Sequence, residues 1–175
     1  MTTPPAPLSP TEIVSLLSGA MDAIRGEYGR LPGRLFAFRP ADSEWSILEV
    51  LGHLIEAEQR GFAGRIRLIL QQEGRTLEGW DPDQVARDRR DWEQDPGVLL
   101  GEFIRRREVS LQLVERLRPS DLAKGAVHPK VGPLTINEIM HEWVHHDRNH
   151  LAQMAANVQA FTWPNMGNAQ KFSAP

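Results

Sequence analysis

The chain has 175 residues, 41% of them hydrophobic and 25% charged, with a formal net charge of -3. That length suits one domain with a buried core, and the near balance of charge excludes the basic footprint of a nucleic-acid binder. Cysteine is absent, which excludes disulfides, cysteine-ligated zinc and a cysteine nucleophile.

Residues 1–8 are rich in proline and threonine and read as a flexible lead-in. They show no basic stretch followed by an apolar run, so no secretory leader is expected. No run reaches the roughly 18 apolar residues of a membrane span, and a cytoplasmic location without membrane partners is the expectation. "SPTE" at 9–12 is a helix start: Ser9 caps, Pro10 takes the first helical position and Glu12 completes a capping box. Ile13, Leu16, Leu17, Ala20, Met21 and Ile24 follow at helical spacing, predicting a first helix over about 10–31.

"WSILE" at 45–49 repeats the capping box with Ser46 and Glu49, and Trp45 is placed to staple onto Val50. Ile47, Val50, Leu51, Leu54, Ile55 and Phe62 line one face of a second helix, predicted over about 47–73 with Gly74 as terminator. Residues 75–95 are polar and carry Trp80 and Trp92. A structureless loop of that length is unusual, so a short helix near 82–92 is expected. Asp95 and Pro96 open a third helix, running to about 118. Its "RRR" at 105–107, flanked by Glu102 and Glu108, reads as a solvated face. Residues 124–133 are rich in helix breakers and predict a connection, and no segment alternates enough to claim a strand. "TINE" at 135–138 caps a last helix over about 136–160. Four long amphipathic helices predict an all-α fold, a four-helix bundle, in a single domain with irregular tails at 1–8 and 162–175.

Four of the six histidines fall in "HEWVHHDRNH" at 141–150. At about 100° per residue, His150 falls among Ile136, Met140, Trp143 and Met154, and His146 falls at the edge of that face. His141 and His145 fall on the opposite side, toward solvent or a partner subunit. The inward pair sits one turn apart and suits either a shared metal ion or a hydrogen-bonded pair near the core. His53 lies beside the apolar face of the second helix, with Ala57 and Gly61 continuing its line. Those small side chains leave room for a cavity. Three histidines from two facing helices give a three-nitrogen site with a position left open, the catalytic rather than the structural arrangement. His128 reads as an exposed loop residue.

Three carboxylates are catalytic candidates. Asp147 falls within the apolar face and needs a partner there, either a ligand histidine or an arginine such as Arg65. Glu58 has a similar position on the second helix. Glu142, one turn before His146, suits a fourth ligand, a general base or a surface residue. Tyr28 suits a pocket edge or plain packing, and Trp80, Trp92 and Trp163 suit a pocket wall or the core.

"WSILEVLGHLIEAE" at 45–58 and "HEWVHHDRNHLAQM" at 141–154 resemble the two signatures of the DinB-like superfamily, damage-inducible four-helix metalloproteins. The resemblance spans about residues 10–160. It implies an up-down-down-up bundle with a long crossover between the second and third helices, and zinc or nickel on His53, His146 and His150. It implies a homodimer and, as partner, a low-molecular-weight thiol cosubstrate, since characterised members include thiol-dependent isomerases and S-transferases. Others are assigned as metal-dependent hydrolases. The same residues also fit a non-catalytic, metal-stabilised module of a stress response, because a fold does not fix a function.

Overall fold

A computed structural model describes residues 5–173. The predicted capping boxes all form. Ser9, Ser46 and Thr135 each take the backbone N–H three residues on, while Glu12, Glu49 and Glu138 reach back to the cap N–H at 2.8, 2.8 and 2.7 Å. Each cap satisfies amides that the first helical turn leaves without partners. The first helix, α1 (Pro10–Ala23), continues as a π-helical turn over Ile24–Tyr28, and a short α2 (Gly33–Phe36) follows.

The second long helix is not continuous. It comprises α3 (Ile47–Glu56), a π-helical turn at Ala57–Gly61 and α4 (Ala63–Gln71), with the break at Phe62. The wide turn brings the Gln59 carbonyl against Gly64, where a β-carbon would lie 1.8 Å from that oxygen. Only glycine fits there without a shift.

The crossover holds the expected short helix, α5 (Pro82–Arg89), and a single turn at Asp91–Glu93. It is clamped onto α3. Arg89 donates to Asp91 Oδ2 and to Glu56 Oε1, both at 2.7 Å, with both acids buried. Asp91 nests over Gly52, where a β-carbon would fall 1.7 Å from Asp91 Oδ2. The third long helix is α6 (Pro96–Glu115), capped by Asp95.

The connection before the last helix departs from expectation. It forms a two-stranded antiparallel hairpin, β1 (Gly125–His128) and β2 (Gly132–Thr135), in register Gly125 with Thr135 through His128 with Gly132. Four-residue strands that include two glycines and a proline show no readable alternation, so the pattern hid them. The crossover pairs with the other edge of β1: Leu77 N–H donates to Val127 O at 2.8 Å, and Val127 N–H to Arg75 O at 2.9 Å. The last helix, α7 (Ile136–Thr162), is the longest.

The four-helix bundle packs α1 on α6 and α7, and α3 on α6 and α7. One core cluster gathers Ile13, Leu17, Phe62, Ile66 and Trp143; another gathers Ile24, Val50, Leu54, Phe103 and Met154. Arg107 joins them, contrary to the solvated reading of "RRR". It is fully buried, with its guanidinium 5.1 Å from the Phe103 ring centre and 5.4 Å from that of Trp143. Among the described residues, no helix is long and apolar enough to cross a membrane.

Candidate metal centre

His53 comes from α3, and His146 and His150 from successive turns of α7. One nitrogen from each lies within 4.8 Å of the other two, and among the described residues these three form the one such cluster. His53 Nε2 and His146 Nε2 are only 2.8 Å apart. The ring centres of His146 and His150 are 4.4 Å apart, as one helical turn requires.

The surroundings favour neutral rings with lone pairs to offer. Burial, then the nearby His150 and His146, push the His53 pKa down to about 3. Burial and His146 push that of His150 down to about 4, against a smaller upward pull from Gln153. Both rings are therefore neutral near pH 7, the form that ligates metals. His150 Nδ1 donates to Gln153 Oε1 at 2.8 Å, which leaves a lone pair on Nε2. His146 Nδ1 lies 3.8 Å from Asp147 Oδ1, and both atoms are buried without a hydrogen-bond partner. The donor set, three imidazole nitrogens converging on one point, suits a borderline divalent ion.

The cluster lies at the wall of a cavity of about 650 Å³. Ala57 and Gly61 line it, as their small side chains suggested. Its aromatic walls are Trp45, Phe62 and Trp80, with the Trp80 ring stacked 5.6 Å from His53 and Phe62 edge-on 4.9 Å from His146. Trp80 comes from the crossover, between its pairing with β1 at Arg75–Leu77 and α5.

The sequence candidates sort as follows. His146 and His150 face the cavity with His53. His141 is half-buried and structural: its Nδ1 donates to Asn137 O at 2.8 Å and its Nε2 accepts the Leu8 N–H at 2.9 Å, tying down the segment before α1. His145 is exposed. Glu142 is exposed at the cavity rim. Glu58 and Asp147 are buried and point to Arg107, whose Nε donates to Glu58 at 2.7 Å and whose Nη1 donates to Asp147 at 2.6 Å. Asp147 thus pairs with Arg107 and not with Arg65. Burial raises the Glu58 pKa; burial also pushes Asp147 up, but Arg107 and His146 outweigh it and hold Asp147 below its usual range. Tyr28 is buried in the core with its hydroxyl pushed up to about 12 by burial and Glu27, and it lies away from the cavity lining.

Two cavity residues escaped the sequence reading. His128 is no free loop residue: it ends β1, lines the cavity and accepts from Arg65 Nη2 at 3.0 Å. Arg65 lines the cavity because the π-helical turn shifts the phase of α4, which a regular wheel does not anticipate.

A family model described as the DinB superfamily matches residues 7–154. The chain belongs to the DinB superfamily. The motif resemblance at 45–58 and 141–154 is thereby borne out. No curated protein matches the sequence. Among solved structures, this DinB chain is similar to YfiT from Bacillus subtilis, described as a probable metal-dependent hydrolase with an unusual four-helix bundle topology. That match has a TM-score of 0.81 at 16% identity and covers 93% of this chain and 94% of YfiT. It is also similar to TT2238, a four-helix bundle protein, at a TM-score of 0.62 and 18% identity, covering 85% and 99% of the two chains. The mycothiol-dependent maleylpyruvate isomerase matches at a TM-score of 0.66 and 8% identity, covering 84% of this chain but only 61% of the isomerase. At these identities the likeness establishes the shared fold.

Proposed function

We propose that His53, His146 and His150 hold one divalent ion, zinc or nickel, and that this DinB protein is a metal-dependent enzyme of the thiol S-transferase or hydrolase type. One observation carries the reading: three imidazoles converge at the wall of a largely apolar cavity, with no carboxylate completing the set. A bound ion supplies Lewis acidity and lowers the pKa of whatever takes its remaining position. Gln153 fixes the tautomer of His150, and Asp147 Oδ1 is the near acceptor that would orient His146 Nδ1. Trp45, Phe62 and Trp80 exclude water from the ligand side. Glu142, at the rim, is the carboxylate with access to a proton on a bound substrate. With no cysteine in the chain, any thiolate must come from a cosubstrate.

The neighbours described as metal-dependent and as mycothiol-dependent support this reading by fold. Metal analysis of untagged protein tests the ligand set. About one ion per chain is expected in the wild type and in His141→Ala, and almost none in His146→Ala. Equal metal content in the two variants would overturn the assignment. Turnover is tested with a panel of thiols and electrophiles and a panel of esters. Metal-bound protein inert to every member favours the non-catalytic module.

A further inference from the structure

Across the Arg65–Trp80 edge, the histidine cavity adjoins a second groove of about 630 Å³, lined by Arg60, Arg65, Arg67, Arg75 and Trp80. Arg60 is neutralised by Glu56 at 2.6 Å. Arg65 and Arg75 are not: among the described residues neither makes an ion pair, although both are partly buried and the chain carries more acids than bases. Glu78 lines the same groove and Glu142 the rim of the cavity, yet neither closes onto these guanidiniums. The one side-chain partner of Arg65 is the neutral acceptor His128 Nε2, and the Nε of both arginines is shielded and unbonded. Partly buried cations without counter-charge are costly unless something else pairs them. A guanidinium fork matches a planar oxyanion in two parallel hydrogen bonds.

We propose that Arg65 and Arg75 form a subsite for the carboxylate of the small molecule whose other end enters the histidine cavity. This rests on the metal-centre reading for the fate of that other end, but not for the subsite itself. Trp80 is the shared wall, so a ligand running from the arginines to the histidines passes along its ring. Drawing either fork toward the groove onto a carboxylate satisfies the stranded N–H groups. The substrate or thiol cosubstrate is thereby assigned to carboxylic acids, and neutral analogues are disfavoured.

The test uses metal-free full-length protein, so it stands apart from metal loading. Calorimetric titration with succinate is expected to show binding, and with dimethyl succinate none. Arg65→Met and Arg75→Met each weaken succinate about tenfold or more, as loss of a charge-assisted hydrogen bond would, while the exposed His145→Ala leaves it unchanged. If a methionine variant fails to fold, Arg65→Lys and Arg75→Lys keep the charge but lose the fork, and a several-fold loss is expected. Succinate affinity unaltered in all four arginine variants, or equal binding of the diester, overturns the subsite. The link to the cavity is read on zinc-loaded protein: 3-mercaptopropionate binds about tenfold tighter than 2-mercaptoethanol, and Arg65→Met removes the difference. Equal affinities in the wild type overturn the link, and failure to load zinc is seen separately in the metal content.

Discussion

His146 and Asp147 are adjacent on α7 but serve two different polar clusters. Asp147 joins Glu58 around Arg107, three charged side chains that are all 2% exposed or less. Its charges are paired: the guanidinium reaches both carboxylates and the Leu17 carbonyl, although Glu58 Oε2 and Asp147 Oδ1 keep no hydrogen-bond partner. His146 joins His53 and His150, three groups of one kind, with no charged side chain among them and a cavity on one side. Buried charge in the first cluster is compensated from within the chain. The second holds only imidazoles that meet one another at the cavity wall, and it is there that we propose a metal ion. Buried polarity alone therefore does not mark a site; what marks it is polarity left unsatisfied beside an opening.

Four experiments test this contrast. The largest effect is expected from acid. His53 and His150 have folded pKa values of about 3 and about 4, below the ordinary 6.5. The unfolded chain thus binds protons that the folded chain refuses. Stability is full above pH 6.5 and is lost as pH falls toward 4, by up to about 1.4 kcal/mol per histidine per pH unit. Urea melts of metal-free protein across that window check it, and His53→Phe should flatten the slope. Next, Arg107→Met strands two buried carboxylates and should cost about 3–5 kcal/mol at pH 7. A loss below about 1 kcal/mol, within the range of an exposed pair, would show that the charged cluster is not compensated by this arginine. Third, zinc or nickel at about a hundred times its dissociation constant should stabilise the wild type by about 2.7 kcal/mol. The same thermal shift in His146→Ala would break the distinction between the clusters. Smallest, Gly52→Ala collides with Asp91 and should cost about 1–3 kcal/mol through overpacking. Faster proteolysis within 72–95 would report the loosened crossover.

The helices and the histidine trio were legible because each rests on a local signal. Capping boxes mark the starts, and a period near 3.6 separates His146 and His150 from His141 and His145. Arg107 was misplaced because one buried cation inside "RRR" looks like its exposed neighbours until Glu58 and Asp147 are known to meet it. The hairpin escaped because its strands are held by the crossover at Arg75–Leu77, a non-local partner. His128 and Arg65 escaped for related reasons: one is placed by that hairpin, the other by an irregular turn.

The π-helical turn at Ala57–Gly61 has the effect of a one-residue insertion in an otherwise regular helix. Each residue of an α-helix advances the side chain by about 100°. Upstream of the turn, His53 is aimed by the frame that begins at Ser46; downstream, Arg65 is aimed by a frame set off from it. One element thereby presents both an imidazole and a guanidinium to the same space, though a regular wheel counted through the turn would put them about 120° apart. Trimming one residue from 57–61 would remove the wide turn and leave His53 and Arg65 eleven residues apart, about 20° from one another on a regular helix, so both would still face the cavity.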